Sequence, residues 1–136
     1  MKSFVLLLLL TLSACTATHS SLYQQLGGAH KIAEIVENFV YEIEYDPQIL
    51  PYFEGSNIDR FKQKLTEQIC FLSGGPCEYT GDSMTQVHTG MNITEAHFNR
   101  TVDLLINAMN KANVSHRLQN QLLAKLAPTR KEMLYL

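Results

Sequence analysis

The chain has 136 residues, a formal net charge of -2, 46% hydrophobic residues and 18% charged ones. That balance excludes a disordered chain, and a mildly acidic sequence with no Lys/Arg run offers no footprint for nucleic acid. A domain this short buries only about two thirds of its unfolded surface, so a large bound cofactor would add much to a thin core.

Met1-Lys2-Ser3 is a short basic start, Phe4 to Leu10 are unbroken apolar residues, and Leu12-Ser13-Ala14-Cys15 follows. This is a secretory signal pattern, shorter than the about 20 apolar residues that a bilayer-spanning helix needs. Its last four residues resemble the lipobox of bacterial lipoproteins, in which the cysteine is acylated and becomes the new N-terminus. A plain cleaved signal with an incidental cysteine is the alternative. Thr16 is not the aspartate that resembles an inner-membrane retention signal, so the expectation is an exported protein, lipid-anchored through Cys15 at the outer membrane and facing the periplasm. Residues 1–14 are then the signal, 15–21 a lipidated cysteine and polar tether, and 22–136 one folded domain.

Within that domain every long periodic stretch reads as helix, and none alternates with period two. A short helix around Leu22 to Leu26 is set off by Gly27-Gly28. Ile32, Ile35, Val36, Phe39, Val40 and Ile43 form one face of a helix from about Ala29 to Tyr45, which Asp46-Pro47 ends. After a loop with Pro51-Tyr52-Phe53 and Gly55, a stripe of Phe61, Leu65, Gln68 and Leu72 predicts a second long helix that stops at Gly74-Gly75. From there to Gly90 the chain has room for one or two turns, with Asp82 as a cap. Asn92 with Glu95, or Thr94 alone, caps a third helix whose stripe is Phe98, Val102, Leu105, Ile106 and Met109. The last helix begins near Ser115, carries Leu118, Leu122 and Leu126, and should kink at Pro128. The fold class is all-α.

Export places Cys70 and Cys77 in an oxidising compartment. In a continuing helix their Cα atoms would lie about 10 Å apart, too far to bridge, but Gly74-Gly75-Pro76 can reverse the chain between them. A disulfide and two free thiols both stay open.

The short segment after Pro76 holds Met84 and His88 at a four-residue step, on one face of a single turn. An imidazole on a short segment between longer helices is a plausible axial ligand for haem iron, although a lone histidine on spacing alone is more often structural or solvent-facing. No Cys-x-x-Cys-His is present for covalent haem attachment. His19, His30 and His116 read as solvent-facing.

Taken in order, Tyr23-x-x-Leu26-Gly27-Gly28, Val36-x-x-Phe39, Phe53-x-Gly55, Gly74-Gly75-Pro76-x-x-Tyr79-Thr80-Gly81-x-x-Met84-x-x-Val87-His88 and Ile93-Thr94-x-x-His97-Phe98 resemble the group 1 truncated haemoglobins over about residues 22–130. The resemblance implies a two-over-two helical sandwich around haem b (protohaem IX), with His88 as the iron ligand. Phe53 matches a residue packed on the haem face, Phe61 and Leu65 match distal positions, and Tyr79 and Met84 match proximal contacts. Lys64 matches a position that meets a haem propionate and in some relatives supplies a distal ligand instead. His97 matches a position near the haem edge, where contact and simple capping are equally open. Ile93, Phe98, Val102 and Leu126 are core residues that also line such a pocket.

Where many relatives place a tyrosine that donates to the bound gas, this chain has Val40, and Leu65 takes the usual glutamine position. Tyr41 is rotated about 100° around the helix and points away. Gln68 is then the one stripe residue able to donate near the pocket. Without any donor, a charge-assisted bond of roughly 1.5 to 3 kcal/mol is missing and the gas is held about ten- to a hundredfold less tightly.

The implied function is reversible binding of a diatomic gas (oxygen, NO or CO) for carriage, supply or sensing. The alternative is oxidation of nitric oxide with an external reductase, because nothing in the chain resembles a flavin or nicotinamide site. Peroxidase chemistry fits less well, since an apolar distal pocket lacks a general acid-base group. A haem-free helical lipoprotein acting as an interaction module is a third reading, against which the ordered motifs around His88 stand.

Overall fold

The computed structural model describes residues 20–136. The expected signal, the expected acylation site Cys15 and His19 lie outside the described residues. Ser21 opens the fold with a reciprocal cap: its hydroxyl accepts the Gln24 N–H at 3.2 Å while its own N–H donates to the Gln24 carboxamide at 3.1 Å. Helix α1 (Leu22–Leu26) follows. Gly27, at φ +112°, turns the chain directly into α2 (Gly28–Glu44), a conformation closed to most side chains. The stripe on α2 is the buried one, with Ile32, Ile35, Val36, Phe39 and Ile43 all inside.

Asp46 caps the next turn, accepting the N–H groups of Gln48 and Ile49 at 3.0 Å each, and a 3-10 helix spans Leu50–Phe53. Asn57 caps α3 (Ile58–Leu72) through the Arg60 N–H. A capping box of Ser83 and Gln86 starts α4 (Met84–His88), so the cap is Ser83 and not the expected Asp82. The Asp82 carboxylate faces Arg60 instead, and its carbonyl accepts the Tyr79 hydroxyl at 2.7 Å. Thr94 alone caps α5 (Glu95–Lys111), accepting the His97 N–H. Helix α6 (His116–Leu126) passes into a 3-10 helix, Ala127–Glu132. The kink expected at Pro128 is therefore a change of helix type: proline has no N–H with which to continue the α ladder.

No element among the described residues is a β-strand, and one isolated bridge joins Ile93 to Leu134. None of the described helices is long and apolar enough to cross a membrane. α2 lies chiefly on α5 and next on α3, α1 packs on α2 and α6, and α3 meets α6. The pair α2–α3 thus sits over the pair α5–α6, the expected two-over-two arrangement. Its tightest core is Ile32, Ile35, Ile49, Ile69, Leu104, Met109 and Leu122. Cys70 and Cys77 form a disulfide, with Cα atoms 6.0 Å apart, which closes the Gly74-Gly75-Pro76 reversal. Gly75 passes so near the bridge that a Cβ there would lie 2.6 Å from Cys70 Sγ and 2.6 Å from the Tyr23 ring.

Candidate functional site

Outside the fully buried core several apolar side chains are only half buried, and Phe53, Phe61, Leu65 and Leu126 among them pack against that core. Phe53 on the 3-10 turn, Phe61 and Leu65 on α3, Met84 on α4, Phe98 and Val102 on α5 and Leu126 on α6 all keep part of their surface open. The rings are already ordered: Phe53 meets Phe61 edge-on with centroids 4.9 Å apart, and Phe39 lies 6.4 Å from Phe61.

His88 is the last residue of α4, and its Nδ1 lies 2.7 Å from the Met84 carbonyl oxygen. A carbonyl only accepts, so the bond assigns the proton to Nδ1 and leaves the lone pair on Nε2 free for a metal. The same bond fixes the ring's orientation, as the outer partner of a ligating histidine does. Burial pushes the imidazole below its usual pKa and outweighs the opposing pull of the Met84 carbonyl, so the neutral, ligating form is favoured.

On the facing helix, Gln68 Nε2 lies 3.3 Å from Met84 Sδ, so the wall bearing Phe61 and Leu65 meets the wall bearing His88 at this point. Lys64 is bound elsewhere: its Nζ donates to both carboxylate oxygens of Glu67 at 3.0 Å and to the Thr80 hydroxyl at 2.6 Å. Thr80 in turn donates to Glu67 through its N–H and its hydroxyl. Lys64 and Thr80 together hold the Glu67 carboxyl down at about 2. All three ammonium donors of Lys64 are thus occupied in this knot. Tyr79 is half buried, and burial first, then the nearby Asp82 and Glu67 carboxylates, raise its phenol.

Ile93 is more deeply buried than the other expected pocket residues and pairs with Leu134. Tyr41 is exposed, and so are His30 and His116, while Val40 is half buried. His97 leaves capping to Thr94 and bonds the Tyr52 hydroxyl through Nδ1 at 2.7 Å. One helical turn on, Arg100 Nε donates to the buried Asp46 carboxylate at 2.6 Å. These two contacts fasten the turn that carries Phe53 to α5. Sequence reasoning missed both, since partners 45 and 54 positions apart leave no local signal.

The donor set here is one oriented imidazole among aromatic and aliphatic side chains. No trio of His, Cys, Asp or Glu among the described residues could hold a bare metal ion. A single oriented imidazole nitrogen suits a metal that brings its remaining ligands in a planar macrocycle, and that is the chemistry of haem.

The bacterial-like globin family matches residues 21–135. The group 1 truncated hemoglobin GlbN of Mycolicibacterium paratuberculosis is 35% identical over 117 residues, 86% of each chain. The group 1 truncated hemoglobin of Tetrahymena pyriformis is 28% identical over 114 residues, 84% of this chain and 94% of its own. A crystal structure of the Tetrahymena pyriformis protein in its Fe(III) form superposes with a TM-score of 0.82 at 27% identity, covering 86% of this chain and 100% of that one. The 2/2 hemoglobin of Synechococcus, solved in the cyanomet state with covalently attached heme, gives 0.79 at 25% identity, covering 85% and 98%. With one family spanning nearly all the described residues, and the same two-over-two fold in solved relatives, the chain belongs to the bacterial-like globins as a truncated haemoglobin of group 1.

Proposed function

We propose that this chain holds protohaem between α3 and the α4–α5 side, with Nε2 of His88 as the protein's iron ligand, and that it binds a diatomic gas reversibly. The observation that carries the reading is the 2.7 Å bond from His88 Nδ1 to the Met84 carbonyl, which presets the ligating tautomer. When bound, haem supplies a ferrous iron to which oxygen, nitric oxide or carbon monoxide attaches and from which it leaves. Phe53, Phe61 and Leu65, apolar side chains of the 3-10 turn and α3, would pack on the haem and keep water from it. Neither Val40 nor Leu65 offers a donor, so neither position would give the gas a strong hydrogen bond.

Reconstituting the full chain with hemin, reducing it and adding carbon monoxide tests this. A carbonyl spectrum that disappears in His88→Ala supports the assignment, and a protein that stays colourless with hemin defeats it.

We also propose that residues 1–14 direct export, that acylated Cys15 contacts the membrane, and that the domain faces the periplasm. The basic start, apolar run and Leu12-Ser13-Ala14-Cys15 support this. Mass spectrometry of the membrane-extracted protein would show an acylated Cys15 or refute it. An external reductase enters only if nitric oxide is consumed with turnover, which adding nitric oxide to the oxygenated protein with and without a reductant decides.

A further inference from the structure

Helix α4 has five residues, too few to hold a helix in water, so whatever packs on it decides where His88 points. The helical element packed on it most is the 3-10 segment Ala127–Glu132. Just past His88 the chain runs beside residues 134–136. The Met91 N–H donates to the His88 carbonyl at 3.1 Å, the Asn92 N–H to the Leu136 carbonyl at 2.9 Å, and the Tyr135 N–H to the Ile93 carbonyl at 3.1 Å. Ile93 and Leu134 make the isolated parallel bridge. Arg130 adds a side-chain tie, pairing with Glu95 at 2.6 Å and lying 5.6 Å from the centre of the Phe98 ring.

Two residues of this strap, Asn92 at φ +49° and Tyr135 at φ +56°, sit in the left-handed region. Asparagine enters that region routinely; tyrosine does not, and it persists there only where its surroundings over-determine it. The Tyr135 side chain is exposed, so burial of its ring does not explain the conformation. The backbone bonds on either side of it do.

We propose that residues 127–136 form a proximal brace, a positioning segment that fixes α4 and the Met91–Ile93 link and so sets the direction of the His88 imidazole. The proposal rests on His88 being the iron ligand, yet the brace itself is open to measurement without haem. Tyr135→Pro removes the donated N–H and forbids a positive φ, whereas Tyr135→Gly keeps the N–H and adopts that φ freely. Both lose the same exposed ring, so they differ only in the strap.

In the haem-free full-length protein, amide hydrogen exchange at Val87, Thr89 and Met91 should speed up several-fold in Tyr135→Pro and in a chain ending at Met133. Tyr135→Gly should match the wild type. In the hemin-loaded proteins, the first two variants should lose hemin to an acceptor globin several-fold faster and shift the iron–histidine stretching band of the ferrous form. Unchanged exchange would overturn the brace. Faster exchange with unchanged hemin loss and an unmoved band would overturn it too, because the strap would then not reach His88. Faster exchange in a chain that takes up no hemin at all would uphold the brace on α4 and defeat the haem reading instead.

Discussion

Truncating Asp46 to alanine should unfasten the turn that carries Phe53, and the structure sets the size of the effect. The Asp46 carboxylate is buried and accepts three donors: the N–H groups of Gln48 and Ile49 and Arg100 Nε. Losing an acceptor that caps a turn in this way costs about 1 kcal/mol. A bond to a charged group is worth roughly 1.5 to 3 kcal/mol, and because the Arg100 side chain is 43% exposed the lower end applies. The sum is about 2 to 3 kcal/mol, or a fall in Tm of roughly 8 to 12 °C for a domain of this size. Asp46→Asn keeps an oxygen for the two N–H groups and loses only the charge, so it should cost about half as much.

The pH dependence follows from the same contacts. Burial by itself raises the Asp46 carboxyl, but Arg100 and the N–H groups of Ile49 and Gln48 outweigh it and hold the pKa below its ordinary 3.8. In the acid range the unfolded chain therefore binds the proton first. The contribution is whole above the ordinary carboxylate pKa and is lost as pH falls through the folded one. Thermal unfolding of the haem-free protein, followed by circular dichroism at pH 7 and at steps down to acid, measures both effects, and Asp46→Ala should lose stability with acid less steeply than the wild type. The reasoning is refuted if Asp46→Ala unfolds with the wild type, or if Asp46→Asn is as damaging as alanine.

Opening the Cys70–Cys77 bridge by Cys77→Ser should destabilise by roughly 2 to 3 kcal/mol, the loop-closure value for so short a span, and the intact wild type should gain two hydrogens in mass on reduction. The Glu67 carboxyl, held at about 2 against an ordinary 4.5, contributes stability that is whole above pH 4.5 and is lost as pH falls towards 2. A carboxyl NMR titration should show this value rising in Thr80→Val, which removes the hydroxyl donor but keeps the backbone one. A distal site without a donor predicts that Gln68→Leu leaves the gas release rate close to wild type; markedly faster release, read by stopped flow, would show that Gln68 bonds the gas.

Much of the fold is legible in the sequence, because burying one face of a helix imposes a three- and four-residue spacing that any reader can find. The stripe from Ile32 to Ile43 and the stop at Gly74-Gly75 are local facts of this kind. His88 is legible as a candidate ligand only through the ordered motifs around it, since a lone histidine carries no metal signal of its own. Where local rules compete, the sequence is silent. Asp82 and Ser83 both offer a capping oxygen; the structure uses Ser83 and turns the Asp82 carboxylate to Arg60 on α3.

Tertiary structure alone decided the long-range pairs: Tyr52 with His97, Asp46 with Arg100, Lys64 with Thr80, Gln68 with Met84, and residues 134–136 beside the link that follows His88. Each joins side chains or backbone groups on different elements. Periodicity tells which face of a helix is buried, but the residue it meets depends on how the helices are stacked and rotated against one another, and spacing along the chain does not encode that.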